Sequence, residues 1–189
     1  MEFLLAIFTE IPVFIVAVPL MIRLTEAVVR STNLPVTVKT RLGWDEKTKN
    51  IEEVAERLQD VGVKALSIHG RTRTQLYKGE ADWTLIAKVK NNPRITIPIF
   101  GNGDVTTPEK ALDYKNRFGV DGIMIGRAAI GHPWVFREIK HFLSTGEHMA
   151  GPSFEERVEA CKIHLQKSVE WKSEILAINE MKRHYSNYF

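Results

Sequence analysis

The amino-acid sequence predicts an α/β protein built on a parallel sheet, with four consecutive β-α units followed by helices. Three observations predict it. From residue 20 onward the apolar residues alternate between strand-like runs and helical spacing. The strand segments read as continuous apolar runs, as in a parallel sheet covered on both faces. The connections have the length that parallel strands require.

The elements follow in order. Leu20 to Ser31 has apolar residues at helical spacing. Pro35 opens VTVKTRL, a β-branched run that suits a strand. Asn50 to Val61 is an amphipathic helix with Glu52, Glu53 and Glu56 on its polar side, and Gly62 ends it. Ala65 to His69 is the next strand. Asp82 caps a helix from Trp83 to Lys90. Ile97 to Phe100 is a short strand that runs into Gly101-Asn102-Gly103-Asp104. Thr107 caps a helix opening with Pro108. Asp121 to Ile125 is the fourth strand, and it leads to Gly126-Arg127. After His132-Pro133 the strand signal stops. Pro133 to Leu143, Ser153 to Trp171 and a segment from Glu174 read as helices.

Composition narrows the class. The chain has 189 residues, with 26 Lys+Arg against 23 Asp+Glu, a formal charge of +3. At 44% hydrophobic with one cysteine, it is not a disordered tail, a collagen-like chain or a disulfide scaffold. A pI near 9.0 permits a polyanionic partner and equally fits a slightly basic soluble protein. The lone Cys161 has no internal disulfide partner, which fits a reducing compartment. The length is short for a complete (β/α)8 barrel, which takes about 250 residues.

Phe3 to Ile22 is very apolar and has roughly the length of a membrane span. Glu10 lies inside it, Pro12 and Pro19 interrupt it, and no Lys or Arg precedes it. A buried strand or helix, or a segment foreign to the natural reading frame, is the expectation, with no membrane partner. Residues 1–18 are accordingly set apart as an atypical segment.

In parallel sheets ligands gather at the carboxyl ends of the strands. Those ends here carry Lys39 to Asp45, His69 to Arg73, Gly101 to Asp104, and Gly126 to Ala129. Each supplies a cation or a glycine-rich turn, and together they suit an anion. The last two resemble the phosphate site found after the final two strands of (β/α)8 barrels, with Arg127 as a bidentate grip. GNGD alone is equally a plain tight turn. Lys39 either reaches a pocket or snorkels to the strand end. His69 fits a core or rim residue as well as a catalyst. The loop Arg71 to Gly79, with three cations and Tyr77, is either a solvated loop or a contact for nucleic-acid backbone.

At these residues the chain resembles a known family. PVTVKTRLGWD (Pro35 to Asp45), SIHGRTRTQLYKGEADW (Ser67 to Trp83), IPIFGNGDV (Ile97 to Val105) and DGIMIGRAAIGHPWVF (Asp121 to Phe136) are similar to the flavin-dependent tRNA-dihydrouridine synthases. The resemblance runs from about Pro19 to the C-terminus and includes Arg183-His184-Tyr185. It implies a cytoplasmic oxidoreductase with a TIM barrel and a helical tRNA-binding domain. FMN, reduced by NADPH, would pass hydride to C6 of a uridine flipped out of tRNA, and a cysteine would protonate C5. By the same resemblance, Lys39, His69, Asn102, Gly103, Asp104, Gly126 and Arg127 would hold FMN. Arg71, Arg73, Tyr77 and Lys78 would contact tRNA. No metal is implied, and no oligomeric state is set.

Two family features are absent from the sequence: a first strand with a Met-Ala-Pro-Met-like flavin segment, and an Asn-x-x-Cys-Pro loop with the proton-donating cysteine. Cys161 lies on a C-terminal helix far from any strand end and is no candidate for that acid. The four strands therefore resemble strands 5 to 8, the C-terminal half of a TIM (β/α)8 barrel. Residues 19–145 would be the partial FMN-binding barrel and 146–189 the start of the helical tRNA-binding domain. The expectation is a truncated copy, inactive alone. A non-catalytic phosphate- or tRNA-binding fragment is the alternative, and another flavin- or phosphate-binding barrel enzyme is a third.

Overall fold

A computed structural model describes residues 4–7 and 14–189, with residues 4–7 and 14–17 described by their backbone alone. The rest of the N-terminal apolar run, residues 1–3 and 8–13, lies outside the described residues. The chain divides into two compact units, Met1–Asp104 with Asp113–Met124, and Val105–Leu112 with Ile125–Phe189. The sequence boundaries at 18/19 and 145/146 do not coincide with this division.

The first unit holds a five-stranded parallel sheet in the order β1-β2-β3-β4-β5. The strands are β1 (Leu4–Ile7), β2 (Val36–Arg41), β3 (Ala65–His69), β4 (Ile99–Asn102) and β5 (Gly122–Met124). The four expected strands are present, and β1 joins them from within the atypical segment, pairing Ile7 with Lys39. The helices between strands are α1 (Phe14–Arg30), α2 (Ile51–Asp60), α3 (Thr84–Asn91) and α4 (Pro108–Phe118). The division between the units runs through α4.

Several boundaries differ from the sequence reading for identifiable reasons. α1 begins before position 18 and carries Pro19 inside it, so the expected break there does not occur. A proline inside a helix removes one backbone hydrogen bond without ending the helix. β4 starts two residues later than expected. Pro98 has no N–H for the ladder, but its carbonyl accepts from Leu66 N at 3.0 Å, and pairing continues through Gly101 and Asn102. β5 is shorter than expected because Asp121 serves elsewhere. Its carboxylate accepts from Ile99 N at 2.8 Å and from Lys90 Nζ at 2.7 Å. Asp82 does accept from Thr84 N at 2.9 Å, as a cap would.

The sheet is not equally covered on its two faces, contrary to the continuous apolar reading. β2 alternates buried and half-buried positions. On the buried face lie Val36, Val38, Leu66, Ile68 and Ile99, each 2% exposed or less. With Val54, Ala55 and Leu58 of α2 and Ile86 and Val89 of α3, they form the core of the unit. Trp83 joins them, its ring 4.7 Å from Tyr114 and 5.7 Å from Phe118 between centroids. The opposite face carries Thr37, Lys39 and Arg41 of β2, because successive side chains of a strand point to opposite sides.

The second unit contains α5 (Val135–Thr145), α6 (Phe154–Trp171), α7 (Glu174–Met181) and α8 (Tyr185–Tyr188). Ser153 opens α6 with a reciprocal capping box. Its Oγ accepts from Glu156 N at 3.2 Å, and its N–H donates to Glu156 Oε2 at 2.8 Å. Cys161, Met181 and Tyr188 form a buried cluster, with Trp134, Ala160 and Leu165 packed against it. No described helix is long and apolar enough to cross a membrane.

Candidate functional site

The register of the sheet assembles the site. Arg41 pairs with His69, and His69 pairs with Asn102, so these three lie in one row across β2, β3 and β4. One step earlier on the same face, Lys39 pairs with Ser67. Residues paired in parallel register share a face. The more polar side of the sheet therefore gathers Lys39, Arg41, Ser67, His69 and Asn102 at its carboxyl end. Asn102 is oriented by donating from Nδ2 to Met124 O at 2.7 Å.

Charge is concentrated here. His69 is 5% exposed. Burial pushes its imidazole down to about 3, and the positive charges of Arg41, Lys39 and Arg71 push in the same direction against the opposing pull of Asp104. The ring is neutral at physiological pH. Lys39 is also lowered, first by burial and then by Arg41. Arg41 donates from Nη1 to Thr72 O at 3.1 Å and to Leu76 O at 3.3 Å. Its Nε is buried and has no hydrogen-bond partner among the described residues. A buried donor without an acceptor is costly, and an anion bound here would relieve it.

Arg71, expected by resemblance to contact tRNA, lies inside the fold. It is 2% exposed. Its Nη1 and Nη2 each donate to Asp104 at 2.8 Å, its Nε donates to Lys78 O at 3.3 Å, and Nη2 also reaches Gly79 O. The cause is a carboxylate 33 residues away, which a linear reading does not bring near. Asp104 is correspondingly engaged, since its Oδ2 accepts from Ala81 N at 2.8 Å as well. Its carboxylate shapes the turn. Arg71 is internal to the fold, whereas Tyr77 is 59% exposed, Lys78 is exposed and Arg73 half-buried. The Tyr77 ring lies 6.5 Å from that of His69 between centroids.

The glycine-rich segment divides in two. Gly101 and Asn102 belong to β4, and the turn proper is Gly103-Asp104. Gly103 has φ +127, and its carbonyl accepts from Trp83 Nε1 at 3.0 Å. A Cβ at Gly103 would stand 2.6 Å from Ala81 Cβ and 3.1 Å from His69 Cδ2. Only glycine lets the turn lie against the imidazole. Gly126 and Arg127 belong to the second unit. Both are exposed, and they open a single 3-10 turn, Arg127–Ala129. Gly126 has φ −117, so its place there is not a matter of left-handed backbone.

Cys161 sits in the buried cluster of the second unit, where burial pushes its thiol up. No group of three or more His, Cys, Asp or Glu among the described residues is arranged to hold a metal. Arg41 is the site member the sequence reading left out of its cofactor set. The signal was available: in VTVKTR, Lys39 and Arg41 are two apart and so share a face.

A parallel sheet with helices between its strands and cations at its carboxyl end defines a protein of the α/β class. The family model described as dihydrouridine synthase (Dus) matches residues 15–189, and the chain belongs to that family. It is 43% identical to tRNA-dihydrouridine synthase B of Pseudomonas putida over 162 residues, covering 86% of this chain and 48% of that protein. It is 39% identical to a probable tRNA-dihydrouridine synthase of Rickettsia conorii over 166 residues, covering 88% of this chain and 50% of that protein. The chain thus spans about half the length of the curated relatives it matches. A solved mandelate oxidase variant with benzaldehyde aligns at TM-score 0.39 and 16% identity, covering 73% of this chain and 41% of that one.

Proposed function

We propose that this chain is the flavin-holding portion of a tRNA-dihydrouridine synthase, which reduces a uridine of tRNA to 5,6-dihydrouridine with FMN as cofactor and NADPH as reductant. Its sheet is read as the C-terminal half of a TIM (β/α)8 barrel. Residues 146–189 are read as the start of a helical tRNA-binding domain. The proposed place of action is the cytoplasm, with tRNA as the partner.

The observation that carries the reading is the row Arg41–His69–Asn102 with Lys39 beside it, in a chain of the dihydrouridine synthase family. The residues fit the cofactor. FMN is anionic at its phosphate and accepts negative charge on its ring system when reduced. The row offers a buried unpartnered donor, Arg41 Nε, and a cation, Lys39, whose burial favours pairing with an anion. Bound FMN would supply the hydride delivered to C6 of the uracil. In this reading Lys39 and Arg41 hold negative charge, and neutral His69 offers one donor and one acceptor nitrogen. Asn102 presents its amide in an orientation fixed by Met124 O. Gly103 keeps the turn low. By the family resemblance alone, Gly126 with Arg127 of the second unit is proposed to take a phosphate. Arg73, Tyr77 and Lys78 face the tRNA, with Tyr77 available to stack on a base.

Reduction also requires a proton at C5. The sequence contains no Asn-x-x-Cys-Pro loop, and Cys161 is buried in the second unit. We therefore expect the 189-residue chain to bind FMN without completing the reaction alone.

The test is a titration of FMN with the purified chain, read by flavin fluorescence, followed by an assay of NADPH-driven uridine reduction in tRNA. Saturable quenching without dihydrouridine is the expected result. A chain that leaves FMN fluorescence unchanged yet shifts tRNA at low salt is the non-catalytic binding fragment instead, a reading favoured by exposed Lys78 and Tyr77.

A further inference from the structure

One guanidinium holds two neighbours of His69 at once. Arg71 forks onto both oxygens of Asp104 at 2.8 Å, with side-chain exposures of 3% and 19%. Asp104 follows Gly103, where an added Cβ would come within 3.1 Å of the His69 ring. The other edge of the same guanidinium donates to Lys78 O and Gly79 O. Lys78 follows Tyr77, whose ring is 6.5 Å from His69 between centroids. The Gly103 turn and the Tyr77 strap are thus fixed to one another through Arg71. Trp83 Nε1 on Gly103 O and Ala81 N on Asp104 Oδ2 brace the turn from the remaining side.

We infer that Arg71, through its fork onto Asp104, is a positioning residue that keeps the Gly103 turn and the Tyr77 strap closed around His69 and so keeps water from the imidazole. It acts through Asp104 and the carbonyls of Lys78 and Gly79. The role needs arginine. Five donors in a rigid plane serve a carboxylate and two carbonyls together, which a lysine ammonium does not reproduce. Breaking the pair leaves an uncompensated buried charge, so the loops separate. The effect on cofactor binding rests on the flavin reading above. The effect on His69 does not.

The experiment follows the His69 imidazole by 15N NMR through a pH titration of the whole chain. The groups facing it are Lys39, Arg41, Arg71, Asp104 and Tyr77. In the unaltered chain the ring is expected to titrate at about 3. Arg71→Lys preserves the charge and loses the fork. Positioning predicts that His69 rises by about one unit, a tenfold gain in proton affinity, whereas charge alone predicts no change. Asp104→Asn separates the two more sharply. Removing a negative charge lowers the His69 value, but opening the loops to water raises it. A rise in both variants is expected, and a fall or no change in either overturns the inference. Asp104→Asn is nearly isosteric, so it keeps the test alive if Arg71→Lys does not fold. Loss of cooperative unfolding in both also overturns it, because the pair then supports the whole unit and not the site. FMN titrations accompany the series. An unaltered chain that does not bind FMN defeats the flavin reading and leaves the His69 result standing. If it binds, Arg71→Lys weakens FMN about tenfold, and unchanged affinity beside a shifted His69 overturns the link to the cofactor.

Discussion

Gly101 and Trp83 are in such close contact that a Cβ on Gly101 would lie 2.0 Å from Cζ3 of the indole. Gly101 is on the buried face of β4, beside Ile68 in the register, and Trp83 is 2% exposed. The indole fills the space a side chain would take, and from there its Nε1 reaches the Gly103 carbonyl. Gly101→Ala therefore has to push Trp83 aside. We expect a loss of about 1–3 kcal/mol, the usual range for overpacking, seen as a lower urea midpoint. Because Trp83 braces the turn, FMN affinity falls in parallel. An unchanged midpoint would show that the indole is free to move.

His69 makes stability depend on pH in a definite direction. Its folded value, about 3, lies below the ordinary 6.5. The unfolded chain therefore takes up a proton that the folded chain refuses. The contribution is complete above the ordinary value and is lost as pH falls from there toward the folded one. The slope is at most about 1.4 kcal/mol per pH unit for one proton. Urea midpoints measured across this window for the unaltered chain and His69→Asn will differ in slope, with the variant flatter. Parallel slopes would place His69 in contact with water.

Arg127→Ala tests the phosphate grip. Loss of a charge-assisted fork to phosphate weakens binding by about 1.5–3 kcal/mol, roughly tenfold to a hundredfold in FMN affinity. Riboflavin, which lacks the phosphate, discriminates: its affinity stays the same in the variant. Equal losses for both ligands would move Arg127 away from the phosphate.

Lys78→Ala tests the tRNA-facing strap. A lysine on a phosphate contributes about one unit to the slope of log affinity against log salt. The variant lowers that slope by about one. A slope equal to that of the unaltered chain would mean that Lys78 meets solvent only.

Ser153→Ala removes the hydroxyl that caps α6. The expected cost is about 1 kcal/mol, read as lost helicity and a lower Tm of the second unit. Ser153→Asp, which keeps an acceptor at the cap, restores most of it.

Much of the architecture was legible because short-range physics decides it. β3 spans Ala65–His69 as expected, since a compact apolar run between Gly62 and Gly70 has no competing period. The capping box at Ser153 and Glu156 announces α6 from three residues' spacing. What was not legible depends on distant partners. The ladder carries β4 two residues past the apolar run, because β3 supplies acceptors and donors there. Arg71 looked like a surface cation because nothing within its own loop neutralises it. Its carboxylate comes from the next β-α connection. Arg41 was legible as a face-mate of Lys39 in VTVKTR, but its alignment with His69 and Asn102 was not, since only register creates that row.

The Arg71–Asp104 pair also ties together two positions far apart in the sequence. A surface cation drifts freely, because solvent accepts any replacement. A guanidinium enclosed by one carboxylate and two carbonyls has no such freedom, and neither does its carboxylate. Positions 71 and 104 are thus energetically coupled: the loss from changing both is expected to be smaller than the sum of the two single losses. Changing only one of them strands the other, a charge left inside the fold without its partner.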